Sequence, residues 1–188
     1  MNLQALPQEA LKEILELTEA KKRLEIRDLA HDKFMPFAHH VYENFIEGRH
    51  HRIIAEKLER VARGELKRLI INMPPRHSKS EFASFLMPAW FLGRNPKLKI
   101  IQATHNTELA VRFGRKVRDL IDDPKYKEIF PKTNLKEDNK GAGKWGTSVG
   151  GEYFAAGVGA AVTGRGADLF IIDDPHSEQD ALSETAFD

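Results

Sequence analysis

The feature that most constrains the fold is an apolar run that leads directly into a short polar loop ending in Lys79-Ser80. Residues 69–73 (LIINM) are typical of a buried strand, and residues 74–78 (PPRHS) follow them. In this arrangement backbone N–H groups can cradle phosphates, a lysine reaches the β- and γ-phosphates, and the hydroxyl binds Mg²⁺. The usual pattern, G-x-x-x-x-G-K-[ST], has glycine where this chain has Met73 and Ser78. Alone, the motif is therefore a weak signal.

A second apolar run strengthens the interpretation. Residues 169–172 (LFII) end in Asp173-Asp174, where a Walker B element would hold a metal ion. Strands that alternate with helices favour a parallel α/β sheet, in which ligands bind at the carboxyl ends of the strands. We place strands at 67–73, 99–104, 152–156 and 167–172, and we interpret residues 131–151 as a loop anchored by Trp145.

Three stretches together resemble the ATPase half of phage terminase large subunits. They are residues 68–81 (RLIINMPPRHSKSE), 163–168 (TGRGAD) and 171–175 (IIDDP). The resemblance spans roughly residues 30–185. It implies an α/β fold of the P-loop NTPase (ASCE or RecA-like) type, with a largely parallel central sheet flanked by helices and an N-terminal helical segment before it. It also implies ATP-driven packaging of double-stranded DNA.

The same resemblance implies partners and a domain organisation. The partners are double-stranded DNA, the portal of a procapsid, the small terminase subunit and further copies in a homo-oligomeric ring, all in the host cytoplasm. We expect a helical arm at 1–32 and an ATPase domain at 33–188, without the family's nuclease domain. Periodic apolar positions from Pro7 to about Asp32 indicate that the arm is an amphipathic helix.

Composition sets limits on this interpretation. The 188 residues are 41% hydrophobic and include no cysteine, which fits one globular domain without disulfides or thiolate metal sites. The formal net charge is +1, so a DNA-binding face must come from local clustering of basic residues. No window approaches 18 apolar residues, so we expect no association with a membrane.

Each step of phosphoryl transfer to water has a candidate residue. ATP would bind along the loop from Pro75 to Ser80, with N–H donors from Arg76, His77, Ser78, Lys79 and Ser80, because proline has no N–H. Lys79 would contact the β- and γ-phosphates, while Ser80 and Asp173 would share the Mg²⁺ ion. A serine at position 78 has a Cβ that disfavours a positive φ.

The resemblance assigns three further roles. Arg76 matches the arginine that terminases carry in the phosphate loop, which contacts the γ-phosphate. Asp174 stands where the family has a catalytic glutamate and would orient the attacking water. Arg165, between two glycines, matches an arginine finger that reaches a neighbouring subunit; a plain loop arginine is the equal alternative.

Other interpretations of the chain stay open. The substitutions at the loop and at Asp174 favour a non-catalytic nucleotide-binding or assembly module, and a RecA-like helicase motor is a third possibility. The aromatic stretch 34–45 precedes the loop, where the resembling family contacts adenine, but aromatic residues at helical spacing are more often core. The histidine pairs 39–40 and 50–51 do not have the spacing of a metal site.

Overall fold

The computed structural model describes residues 7–160, 162 and 164–176. Within this part of the chain, three helices come first, and a helical segment from Lys79 to Arg94 follows the polar loop. Five strands and two more helices complete the domain. The elements are α1 (Gln8–Asp32), α2 (Phe34–Val41), α3 (Arg49–Ala62), the π-helix Glu81–Leu86, α4 (Met87–Arg94), β1 (Lys99–Thr104), α5 (Thr107–Asp122), α6 (Pro124–Ile129), β2 (Leu135–Lys140), β3 (Lys144–Thr147), β4 (Glu152–Gly157) and β5 (Leu169–Asp173).

The five strands form one mixed sheet in the order β2-β3-β4-β1-β5. Strand β1 pairs in parallel with β4 on one side and β5 on the other, whereas β3 pairs antiparallel with both β2 and β4. The prediction of a P-loop NTPase of ASCE or RecA-like type with a largely parallel sheet is therefore wrong. The sheet is only partly parallel, because β2, β3 and β4 follow one another as an antiparallel meander.

Two predictions about single segments are also wrong. Residues 131–151 contain the β2–β3 hairpin instead of a loop, and residues 67–73 belong to no strand of the described sheet. The latter segment forms neither helix nor strand, and Leu69, Ile71 and Met73 pack against the core while Ile70 is 85% exposed. The alternation of apolar residues identifies which side faces the core, but it does not supply a hydrogen-bonding neighbour.

Aromatic side chains fill the core between the helices and the sheet. Phe34 and Phe37 of α2 are fully buried, and the Phe34 ring meets those of Phe82 and Trp90 at 5.4 and 5.5 Å. Trp145 is buried too, stacked on Tyr153 at 4.8 Å and donating its indole N–H to the Gly114 carbonyl at 3.0 Å. The expectation that Trp145 anchors its segment is confirmed, although the segment is a hairpin.

The carboxyl ends of β1 and β5 lie next to each other, with Thr104 in register with Asp173. Helix α5 starts immediately after β1, capped by Asn106, whose side-chain oxygen accepts from the backbone N–H of Glu108 at 2.6 Å. Polar residues that follow β1 and β5 therefore share one edge of the sheet. Within the described residues, no helix is long and apolar enough to cross a membrane.

Candidate functional site

The polar loop is held in an unusual backbone conformation. Arg76 has φ of 64° and Ser78 has φ of 62°, both in the left-handed region that glycine adopts most easily. The helix begins directly after the loop at Lys79, and the Ser78 carbonyl accepts from the Phe82 N–H at 3.0 Å. Two non-glycine residues of the loop are therefore in the left-handed conformation just before the helix begins.

The lysine of the loop contacts both aspartates at the end of β5. Lys79 Nζ lies 2.5 Å from an Asp174 carboxylate oxygen and 3.5 Å from an Asp173 carboxylate oxygen. Ninety-five positions of sequence separate Lys79 from Asp174. The fold thus brings together the two halves of the predicted site.

The charge of Lys79 is stabilised by these contacts. Partial burial favours the neutral amine, but the hydrogen bond to Asp174 and the charges of Asp173 and Asp174 outweigh it, so the pKa of Lys79 is raised. The amine therefore stays protonated at neutral pH. A cation held in this way can attract a phosphate oxygen.

Asp173 is the buried member of the pair, and a serine that the sequence analysis missed holds it in place. The Ser84 hydroxyl donates to an Asp173 carboxylate oxygen at 2.8 Å, and both residues are buried. Ser84 lies on the π-helix Glu81–Leu86. Such turns occur often at functional sites, and nothing in the local sequence predicts one here.

Asp174 is exposed and has its own backbone support. Its φ is 45°, and its carbonyl accepts hydrogen bonds from the His105 N–H at 3.0 Å and from the His105 ring at 3.1 Å. The ring contact requires a hydrogen on Nδ1 of His105, which leaves Nε2 as the acceptor in the neutral imidazole. His105 is a second residue that the sequence analysis missed; its position just after β1 is the signal that could have revealed it.

A cavity of about 330 Å³ opens beside the loop. Aromatic, histidine and polar side chains line it, with Arg76, His77 and Ser78 on one wall; the remaining lining residues are Tyr42, Glu43, Asn44, Phe45, Ile46, His50 and His51. Phe34 and Phe37 of the aromatic stretch are core residues, as predicted, whereas Tyr42 and Phe45 are only partly buried and face this cavity.

The histidines of this cavity have assignable protons. The Gly48 N–H donates to Nδ1 of His51 at 2.9 Å, and Nε2 of His51 lies 3.1 Å from Nε2 of His50. Neutral His51 therefore carries its hydrogen on Nε2 and donates it to His50. Burial, His50 and His77 lower the pKa of His51 against the opposing charge of Glu47. An Nε2 that donates in this way is not a metal ligand, and the described residues contain no metal-binding cluster of three.

The remaining residues of the predicted site make fewer contacts with Lys79, Asp173 and Asp174. The His77 ring donates to the Pro75 carbonyl at 2.8 Å, which stiffens the loop. Ser80 lies in the first helical turn, partly buried, and Ser84 rather than Ser80 donates to Asp173. The predicted segment around Arg165 includes Thr163, which lies outside the described residues.

Arg165 contacts its own chain. Its guanidinium carbon lies 4.1 Å above the centre of the Phe154 ring on β4, a cation–π contact. In the part of the chain that the structure describes, no hydrogen bond or ion pair joins Arg165 to Lys79, Asp173 or Asp174. Arg165 is exposed, so its guanidinium can leave Phe154 at a modest cost.

The oxygen donors present are compatible with a magnesium ion. Mg²⁺ takes carboxylate and hydroxyl oxygens together with water. Asp173 offers a carboxylate beside Lys79, and Ser80 offers a hydroxyl in the first helical turn after the loop, although no hydrogen bond among the described residues joins Ser80 to Asp173. The Ser84 hydroxyl orients the Asp173 carboxylate, as residues outside the direct ligand shell commonly do. One carboxylate accepts about four hydrogen bonds or ligand bonds, so the Ser84 contact leaves room for a metal.

A larger cleft of about 590 Å³ lies elsewhere, between the end of α1 and the segment after α6. Arg27, Asp28, His31, Arg94 and Lys132 are among its lining residues. Neither the polar loop nor the aspartate pair lines this cleft. Arg76, His77 and Ser78 line the smaller cavity and Lys79 follows them, so we take the loop together with Lys79, Asp173 and Asp174 as the candidate site. Comparisons of the chain with protein-family models, curated proteins and solved structures gave no match.

Proposed function

We propose that this chain binds ATP with Mg²⁺ and hydrolyses it, as the motor part of a viral or prophage machine that packages double-stranded DNA. The observation that carries the proposal is the contact of Lys79 with the carboxylates of Asp173 and Asp174. A strained loop, a following helix N-terminus and a carboxylate pair at one sheet edge are the parts that phosphoryl transfer requires. The proposal rests on this site and on the terminase-like stretches of sequence.

The residues divide the work as follows. Lys79 would bind the β- and γ-phosphates, and the backbone N–H groups from Arg76 to Ser80 would donate to their oxygens. Mg²⁺, when bound, neutralises phosphate charge and is held by Ser80 and Asp173. Asp174 orients the attacking water once a phosphate has taken its place on Lys79. The DNA, procapsid portal, small terminase subunit, ring assembly and host cytoplasm belong to the same proposal.

A titration of a fluorescent ATP analogue with Mg²⁺ tests the nucleotide site. Lys79→Ala removes a charge-assisted hydrogen bond, so the dissociation constant should rise about 10- to 150-fold. Lys97→Ala is the matched control, because Lys97 is an exposed lysine outside the site. Equal affinity of the wild type and Lys79→Ala contradicts the site assignment. ATP turnover that rises when linear double-stranded DNA is added supports the packaging motor.

One observation favours a second candidate function, a module that binds ATP but does not hydrolyse it. The Asp174 carboxylate is already engaged by Lys79 at 2.5 Å, and its backbone is in the left-handed region. A carboxylate held there does not orient water. Binding of the ATP analogue without phosphate release, in the presence of Mg²⁺ and DNA, would favour this candidate over the motor.

A further inference from the structure

Helix α1 is long and almost entirely exposed. Residues 11–26 are all exposed, and within the described helix Ala30 is the buried residue. Helices in water gain most of their stability from packing an apolar face, and three exposed i,i+4 ion pairs add only a few tenths of a kcal/mol each. The 25-residue helix therefore has a surface that fits a packing partner.

An apolar stripe runs along this helix. With about 100° of rotation per residue, Leu11, Leu15, Ile26 and Leu29 fall within a sector of about 60°. These side chains are 37%, 62%, 41% and 54% exposed. His31, whose ring packs against Phe130 at 5.3 Å, lies on the opposite side of the helix. The stripe thus lies about 140–160° from His31 and about 40–100° from the buried Ala30, with Lys22 between its apolar side chains, and it stays exposed along its length.

The charges on α1 are divided into two blocks of opposite sign. Residues 13–19 carry three glutamates and no basic residue, whereas residues 21–27 carry four basic residues and one glutamate. The net charges of the two blocks are −3 and +3. The blocks lie at equal distances from residue 20, so an antiparallel copy of the helix brings each block level with its opposite.

We propose that α1 is the surface through which a second copy of this chain binds, with the two helices antiparallel and related by a two-fold axis near residue 20. In this arrangement Leu11 lies level with Leu29 of the other copy, and Leu15 lies beside Ile26. A two-fold interface uses the same patch on both copies, so each contact occurs twice. A parallel pair would set the two acidic blocks against each other, which is unfavourable.

Sedimentation equilibrium of the full chain, over a range of concentrations, tests the dimer. Leu15→Asp should raise the dimer dissociation constant at least about 100-fold, because the lost apolar contact occurs twice. Leu17→Asp is the matched control: Leu17 is 63% exposed and lies outside the stripe, so the dimer should persist. Far-ultraviolet circular dichroism checks that the domain stays folded. A wild-type chain that is monomeric at 100 µM overturns the proposal, as does equal weakening by both substitutions.

Disulfide trapping tests the orientation, and the chain suits it because it contains no cysteine. When Leu11→Cys and Leu29→Cys variants are mixed and oxidised, the mixed disulfide between the two variants should form in excess over either homodisulfide. Preferential linkage of Leu11→Cys to itself would mean a parallel pair and overturns the proposal. A control with Leu17→Cys mixed with Leu29→Cys should give little mixed product.

Discussion

Replacing Ser78 by glycine is the most informative test of the proposed phosphate loop. Ser78 sits at φ 62°, in a left-handed conformation that costs an L-residue roughly 1–2 kcal/mol. Glycine removes this cost, but its greater freedom in the unfolded chain takes back about 0.4–1 kcal/mol. The free energy of unfolding should therefore rise by about 0.5–1 kcal/mol. For a chain of this size, that gain corresponds to a midpoint of thermal unfolding about 1–4 °C higher.

Urea unfolding at neutral pH measures this gain, with Asn44→Gly as the control. Asn44 has φ of 56°, but asparagine tolerates the left-handed region, so that substitution should leave stability nearly unchanged. Without the Cβ at position 78, phosphate can also approach the loop more closely, and the ATP analogue should bind more tightly. Loss of stability in Ser78→Gly, or an equal gain in Asn44→Gly, would refute the strain argument. Weaker nucleotide binding would mean that the serine hydroxyl contacts the ligand.

Four further substitutions test the surrounding residues. Asp174→Asn should abolish ATP hydrolysis, measured as phosphate release, while the analogue still binds; normal turnover would place the catalytic carboxylate elsewhere. Ser84→Ala should lower the free energy of unfolding by about 1–3 kcal/mol in urea, because Asp173 loses a buried donor. The pKa of His51 is lowered from 6.5, so stability should fall as pH drops below 6.5; His51→Gln should show a shallower decline between pH 7.5 and 5. Arg165→Ala should bind the analogue normally but hydrolyse ATP poorly in an assembled ring, and activity should return when it is mixed with Asp174→Asn; full activity of Arg165→Ala contradicts a role in a neighbouring site.

Local patterns predicted the elements that depend on local chemistry. Strand β1 was predicted with the bounds it has, 99–104. Lys79 and the aspartates after β5, the two parts of the candidate site, do lie together, but not as successors of paired strands, because the segment before Lys79 belongs to no strand of the described sheet.

The errors concern contacts between distant parts of the chain. Side chains of residues 69–73 alternate between partly buried and exposed, as in a strand. A strand also needs a neighbouring strand to pair with, and no local pattern identifies that neighbour. The β2–β3 hairpin was not predicted because most of its residues are polar. Only a few of its side chains, such as Trp145, are apolar and buried. Ser84 was missed because nothing in the local sequence predicts the π-helical turn on which it lies, and His105 was missed because a lone histidine after a strand has no fixed role.

The contact between Lys79 and Asp174 has a consequence for the order of events at the proposed site. When a phosphate takes the place of the Asp174 carboxylate, 2.5 Å from the amine, binding exchanges one anion for another instead of filling an unpaired positive charge. The displaced Asp174 carboxylate then lies beside the incoming phosphate, where it would accept a hydrogen bond from a water molecule and orient that water. Asp174 would therefore compete with the phosphate for Lys79, which weakens nucleotide affinity. Once released from Lys79, Asp174 would orient the water that attacks the nucleotide.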